Sequence, residues 1–207
     1  MTSNEDRDTE YGGPFFVPAD ASDEMGVTTE QAARALAHAG LDRRQATAFF
    51  RNRVLAGQVT PCGRVEKEKD GRQPYLFHAD QVLLTAILHR LAESGLTGEP
   101  LQEAFRVLSW WNADEVPNPP APTPSSWVFR AYLAGQRNFG FELITVRNTT
   151  GRGDVKYSAR VRQFNLDTKE SVGTHFLDRG PTWERRSVWA TDLDPILAHI
   201  TRNKGEH

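Results

Sequence analysis

The chain has 207 residues, of which 38% are hydrophobic and 25% charged, a composition typical of a globular protein that can bury a core. No apolar run approaches the roughly 18 residues needed to cross a bilayer, and the acidic start MTSNEDRDTE lacks the apolar stretch of a secretory signal. Because Cys62 is the single cysteine, an internal disulfide and a cysteine-based zinc site are excluded. We expect a cytoplasmic protein without membrane contact.

The net charge of −2 conceals an uneven distribution along the chain. Residues 1–26 contain seven acidic side chains and one basic side chain, and they lack helical or strand periodicity, which predicts an acidic flexible arm. Residues 27–77 contain nine basic and five acidic side chains. The overall charge therefore says little about binding partners, because the arm masks a basic segment.

Two short helices are predicted after the arm. Thr28 or Thr29 can cap the first helix, Gly40 suits its end, and Asp42 can cap the second. The apolar residues of the second helix follow helical spacing and predict one buried stripe, formed by Ala46, Phe49, Phe50 and Val54. A helical wheel then turns the opposite, polar side of this helix outward.

A charged β-hairpin is predicted next. Strand-like runs at 59–65 and 73–77 flank a polar stretch containing Asp70 and Gly71, and Asp-Gly is a strong turn signal. A long helix is expected at 79–94, and a shorter one at 100–108 that opens on a proline.

A proline-rich segment separates the two halves of the chain. Residues 116–124 contain five prolines, which neither a helix interior nor a central strand tolerates, so we predict an extended spacer over 112–126. Beyond it, strands are expected at 139–147 and 155–164, and a third at 171–177. A final helix is predicted with Asp194 as its cap, while residues 127–133 fit either a helix or a strand. The predicted fold class is α+β, with domains at 27–111 and 127–207.

Two helices joined by a tight turn and followed by a hairpin form a shape suited to duplex DNA. The second helix can enter the major groove while the hairpin lies against the flanking backbone. On the helix, the predicted contacts to bases or phosphates are Arg43, Arg44, Gln45, Thr47, Arg51 and Asn52. On the hairpin, the predicted phosphate contacts are Arg64, Lys67, Lys69 and Arg72. Arg53 lies nearer the buried stripe, where a structural ion pair is expected.

The order of these elements resembles the N-terminal domain of the MerR family of transcription regulators. The similarity rests on residues at matching positions in the second helix, the hairpin and the long helix: Phe49, Phe50, Phe77, Ile87, Leu88, Leu91, Gly95 and Leu96. It covers about 80 of the 207 residues. The resemblance implies a winged helix-turn-helix that binds double-stranded DNA, a fold that phage excisionases and small terminase subunits also use.

The chain departs from that family at three places. Ala48 stands where the family has an arginine before the aromatic pair, and Tyr75-Leu76-Phe77 replaces the Arg-x-Tyr that ends the hairpin. The long dimerising helix of the family is missing, and Trp110-Trp111 and the proline-rich spacer occupy its place. Effector sensing and promoter twisting are therefore not carried over.

A second basic surface is predicted on the hairpin of the C-terminal half. It comprises Arg147, Arg152, Lys156, Arg160 and Arg162. Three of these residues have even numbers, so a regular strand places Lys156, Arg160 and Arg162 on one face. The sequence leaves two interpretations open: a nucleic-acid or protein-binding face, or an ordinary solvated sheet face.

No catalytic centre, metal site or cofactor motif is predicted. The six histidines lack ligand spacing, and no phosphate-binding loop or nucleophile motif is present. Cys62 is interpreted as an unreactive thiol rather than a sensor, and Trp110 and Trp111 as packing residues rather than a partner site.

The sequence therefore predicts a sequence-specific DNA-binding regulator of bacterial or phage type, not an enzyme. The C-terminal domain is expected to provide homodimerisation, contact with RNA polymerase or another protein, or further DNA contacts. One alternative is a phage DNA-packaging or recombination and excision accessory protein, and another is a protein–protein adaptor that does not bind DNA.

Overall fold

A computed structural model of the chain describes residues 26–38, 40–64, 74–111, 116, 118–150, 153–164, 171–173 and 182–202. These residues form a mixed α+β structure, which confirms the predicted fold class. The elements in chain order are β1 (Gly26–Thr28), α1 (Thr29–His38), α2 (Arg43–Leu55), β2 (Gly63–Arg64), β3 (Tyr75–His78), α3 (Ala79–Glu93), α4 (Glu99–Ser109), α5 (Pro124–Leu133), β4 (Phe139–Asn148), β5 (Val155–Phe164), β6 (Ser171–Gly173), β7 (Trp183–Asp192) and α6 (Asp194–Arg202). Among the described residues, no helix combines the length and apolar character that crossing a bilayer requires.

Side-chain caps fix where α1 and α2 begin. The Thr28 N–H donates to Gln31 Oε1 at 2.8 Å, and the Gln31 N–H donates to Thr28 Oγ1 at 3.3 Å, which is the reciprocal arrangement of a capping box. Asp42 Oδ1 accepts the N–H groups of Arg44 and Gln45 at 2.9 and 3.2 Å. Both caps agree with the sequence prediction, and each needs only neighbouring residues.

A small antiparallel sheet in the order β1-β3-β2 lies beside these helices. The hairpin strands pair with Gly63 opposite Leu76, and β1 pairs with the other side of β3 with Val27 opposite Phe77. The sequence prediction did not include β1, whose three residues show no strand pattern. Residues 65–73, which hold the predicted turn and the predicted contacts Lys67, Lys69 and Arg72, lie outside the described residues.

The predicted spacer over 112–126 is wrong at its C-terminal end. Pro124 stands in the first turn of α5, where its missing N–H costs nothing, and Thr123 Oγ1 caps the helix by accepting the Ser126 N–H at 3.0 Å. Residues 124–126 are buried rather than extended in solvent. The last of the five prolines therefore begins a helix, and residues 127–133 belong to that helix.

The C-terminal half contains a four-stranded antiparallel sheet in the order β6-β5-β4-β7. The predicted strands at 139–147 and 155–164 are present, β6 covers the first three residues of the third predicted strand, and the rest of that prediction, 174–177, lies outside the described residues. The prediction missed β7, which pairs with β4 along its length and is mostly exposed. Asp194 begins α6, but its carboxylate accepts the N–H groups of Asn138 and Phe139 at 2.7 and 3.0 Å and so joins α6 to β4.

One hydrophobic core runs through both halves of the chain. Trp127 on α5 is completely buried, with its ring centroid 6.1 Å from that of Trp111 and 5.8 Å from that of Phe139. The buried Asp80 on α3 accepts hydrogen bonds from Thr123 and Ser125, at 3.3 and 3.2 Å. The segments that the sequence analysis separates are thus packed against each other.

Candidate nucleic-acid interface

Helix α2 has one side in the core and one side in solvent. Ala46 and Phe50 are fully buried, and the Phe50 ring meets the Phe77 ring of β3 edge to face, with centroids 5.1 Å apart. The residues on the opposite side, which we call the α2 outer face, are Arg43, Arg44, Gln45, Ala48, Arg51 and Asn52, and all of them are exposed. This orientation agrees with the helical wheel. Thr47 differs from the prediction in being half-buried, and its hydroxyl donates to the Arg43 carbonyl oxygen at 3.0 Å.

The arginines of the α2 outer face differ in their surroundings. Arg43 lies 3.4 Å from Glu30 of α1, which also contacts Arg34 at 2.7 Å. The hydrogen bond and charge of Arg34, followed by the charge of Arg43, hold the pKa of Glu30 below its usual value. Within the described residues, Arg44 and Arg51 have no carboxylate at ion-pair distance. These two side chains are the cations of α2 best able to meet an external anion.

Arg53 is not part of the α2 outer face, and its side chain packs against α2 itself. Its Nη1 donates to Gln58 Oε1 at 2.7 Å, and its guanidinium lies over the Phe49 ring, 4.4 Å from the centroid. Burial lowers the pKa of this guanidinium. The prediction that Arg53 forms an ion pair is therefore wrong for the described residues. Its partners there are the Gln58 side-chain amide and the Phe49 ring.

The hairpin presents one described arginine next to an aromatic residue. Arg64 on β2 is directly opposite Tyr75 on β3. Its guanidinium carbon lies 4.5 Å from the Tyr75 ring centroid, and its Nη2 donates to the Tyr75 hydroxyl at 2.7 Å. A guanidinium has five N–H donors, so several remain for a phosphate. Tyr75 was not predicted to support Arg64, although an arginine and an aromatic residue paired across two strands are the signal for such a contact.

In the predicted second basic surface, two of the arginines pair with the same buried carboxylate. Glu142 on β4 is directly opposite Arg160, and its oxygens lie 2.6 Å from Arg160 Nη2 and 2.8 Å from Arg162 Nε. Both arginines thus have an internal anion, which favours the structural interpretation of this pair. Lys156 lies over the Trp183 ring at 5.3 Å from its centroid, and Arg147 is exposed. Arg152 lies outside the described residues.

Of the remaining candidate residues, His89 and Trp111 lie among structural partners, whereas the packing predicted for Trp110 is not observed, because its side chain is largely exposed. His89 is buried, with Nε2 2.9 Å from Glu93 Oε1 and its ring packed edge-on against Phe49 at 4.9 Å. Trp111 Nε1 donates to the Ala121 carbonyl oxygen at 2.8 Å, whereas Trp110 is 57% exposed. Within the part of the chain that the structure describes, no group of three or more His, Cys, Asp or Glu side chains is placed to hold a metal ion.

Comparison with protein-family models, with curated proteins and with solved structures finds no match for this chain. The geometry and charge of the sites described above are therefore the basis for a functional assignment. The α2 outer face and the hairpin beside it form the largest group of exposed polar and basic side chains that the sequence analysis singled out and the structure describes.

Proposed function

We propose that this protein binds double-stranded DNA in a sequence-specific manner, as a transcription regulator of bacterial or phage type. Residues 27–111 would act as a MerR-like winged helix-turn-helix, with α2 in the major groove and the β2–β3 hairpin against the neighbouring backbone. The order helix, turn, helix, hairpin supports this assignment. The major groove is about 12 Å wide and accepts one α-helix with its side chains.

The observation that carries the proposal is the two-sided character of α2. Phe50 fixes the inner side in the core, while the α2 outer face carries groups that match base edges and phosphates. Arginine pairs with guanine through two parallel hydrogen bonds, and glutamine or asparagine pairs in the same way with adenine. Arg44, Arg51 and Gln45 supply both types of group within about two helical turns.

The hairpin supports the same proposal through a contact that carries no sequence information. Arg64 stacks on Tyr75 and donates to its hydroxyl, which orients the guanidinium, and the residue is exposed. An arginine that is already ordered loses less side-chain entropy when it binds a phosphate. Such a contact fixes the register of the protein on the duplex, and the helix reads the sequence.

The test compares two double variants on DNA. Target duplexes are selected from a random pool by the purified protein, and affinity is measured by fluorescence anisotropy. Arg44→Ala/Arg51→Ala should weaken binding by about 100-fold, since each arginine-to-base contact contributes about 1–3 kcal/mol. The matched control, Arg106→Ala/Arg137→Ala, removes two exposed arginines that lie outside the α2 outer face and the hairpin, and it should bind as the wild type does.

Two outcomes contradict the proposal. One is selection of no duplex above the background of the pool, which is the result expected of a protein–protein adaptor. The other is equal loss of affinity in both double variants, which would mean that charge alone matters. If the selected sequence maps to a phage genome end or recombination site instead of promoters, the packaging or excision alternative replaces regulation.

A further inference from the structure

The most outward line of side chains on α2 alternates between cationic and apolar groups. Its members, which we call the outward stripe, are Arg44, Ala48, Arg51 and Leu55. At about 100° per residue, they fall within about 60° of one another around the helix, on the side opposite the buried Ala46. All members of the stripe are exposed, so a partner that approaches α2 from outside meets these side chains first.

Leu55 contributes little to the core. Its side chain is 84% exposed, more than any other large hydrophobic side chain among the described residues. The end of α2 is made by the backbone that follows: the Gly57 N–H donates to the Val54 carbonyl oxygen at 3.0 Å. The Gln58 N–H donates to the Arg53 carbonyl oxygen at 2.9 Å, which completes the hydrogen bonds of a helix that ends at a glycine. Neither packing nor the helix end therefore accounts for an apolar group at position 55.

Ala48 is the place on the stripe where a partner can come closest to the helix. Its methyl group lies between two long side chains, those of Arg44 and Arg51. A surface that both arginines hold can therefore reach the helix at Ala48 without displacing a side chain. Alanine has no charge and no side-chain donor or acceptor, so an apolar contact is what it can add there.

We propose, on the basis of the DNA binding proposed above, that Ala48 and Leu55 contact the C5-methyl groups of thymines. In the major groove, thymine differs from the other three bases by this methyl group, and apolar side chains such as alanine are the ones that contact it. The arginines of the same stripe match the acceptors of guanine. The outward stripe thus selects duplexes that contain both guanine and thymine, by alternating charged and apolar contacts.

The spacing along α2 limits where these bases lie. At a rise of about 1.5 Å per residue, Ala48 lies about 6 Å along the axis from Arg44, and Leu55 lies the same distance from Arg51. Successive base pairs are about 3.4 Å apart. For a helix that follows the groove, each apolar side chain is therefore about two base pairs from the preceding arginine. We expect selected duplexes to have thymines at about that distance from guanines.

The test removes a methyl group from the DNA and an apolar group from the protein. Each thymine of a selected duplex is replaced in turn by deoxyuridine, which lacks only the C5-methyl group, and affinity is measured by fluorescence anisotropy. At two positions the replacement should weaken binding of the wild type by about fourfold, the effect of burying one methyl-sized group. Ala48→Gly should be insensitive to one of these replacements, and Leu55→Ala to the other.

The affinities for the thymine and uracil duplexes are compared as a ratio within one protein, so a less stable helix in Ala48→Gly does not affect the result. The matched control is Ala56→Gly, since Ala56 is exposed and directly follows α2 but lies outside the outward stripe. This variant should keep both methyl effects.

The thymine contacts are overturned if fewer than two replacements by deoxyuridine weaken the wild type. They are also overturned if either methyl effect persists in the variant that lacks the corresponding side chain. Both of these results leave binding to the selected duplex intact, so they contradict the thymine contacts alone. Failure to select any duplex contradicts the proposed DNA binding and the thymine contacts together.

Discussion

Phe50 of α2 and Phe77 of β3 pack edge to face, with ring centroids 5.1 Å apart and planes at 89°. Both side chains are fully buried. This contact joins the helix that carries the α2 outer face to the strand that faces Arg64, so it determines how the helix and the hairpin are placed relative to each other. Loss of either ring should therefore affect the fold and the proposed DNA site together.

Phe50→Ala should lower the free energy of unfolding by about 3–5 kcal/mol, because it removes a buried ring and leaves a cavity. Urea denaturation followed by circular dichroism measures the change. Phe50→Leu keeps most of the buried apolar area and should cost much less. A loss below about 1 kcal/mol in Phe50→Ala would show that α2 does not depend on this contact.

Tyr75→Ala should weaken duplex binding by about two- to fivefold, since the arginine loses a stacking contact of about 0.5–1 kcal/mol. Tyr75→Phe keeps the ring and removes only the hydroxyl that accepts from Arg64, so it should bind nearly as well as the wild type. Anisotropy titrations at one fixed salt concentration compare the three proteins. Equal affinity of all three would exclude a role for the stacked pair.

The wild-type chain should unfold in one cooperative step, because a single core contains residues from both halves. Asp80→Ala leaves the Thr123 and Ser125 hydroxyls without their shared acceptor and should cost about 1–3 kcal/mol while the transition stays single. Tryptophan fluorescence and circular dichroism, recorded in the same urea series, should give coincident curves. The exposed Asp154→Ala serves as the control. Two separated transitions in the wild type would mean that the halves fold independently.

Cys62 should react slowly with iodoacetamide near pH 8. Partial burial of its sulfur, and to a smaller degree the charge of Asp80, raise the pKa of this thiol, although the residue lies on the surface. The thiolate is the reactive form, so a raised pKa means a smaller reactive fraction at a given pH. The midpoint of the rate-against-pH curve should lie higher for the folded chain than for the chain in denaturant. A midpoint that is equal or lower contradicts this account of the thiol.

The parts of the structure that follow from local signals were predicted from the sequence. The caps at Thr28 and Asp42 act within three residues of the chain, and the apolar spacing of α2 depends on that helix alone. For the same reason, the helical spacing of α2 predicted that Arg44 and Arg51 face outward, and both are exposed in the structure. The strands β4 and β5 were predicted because β-branched and aromatic residues are dense there.

Other parts depend on pairing between distant segments, which local patterns do not contain. The strand β7 is polar and exposed, and it is ordered by pairing with β4 rather than by its own alternation. The alternation of side chains along β5 predicted Arg160 and Arg162 on one face. Their partner Glu142 follows only from the register of β4 against β5, which places Glu142 opposite Arg160. The start of α5 at Pro124 was missed because the surrounding prolines resemble an extended spacer.

The salt dependence of duplex binding tests the proposed function most directly. The dissociation constant for a selected duplex should rise steeply with salt, by about 0.9 log units per log unit of salt for each phosphate contacted. Arg64→Ala should reduce that slope by about 0.9, because it removes one phosphate contact and no base contact. Phosphate contacts lose most of their affinity between about 50 and 200 mM salt. A dissociation constant that does not change between about 50 and 200 mM salt would contradict DNA binding through this surface.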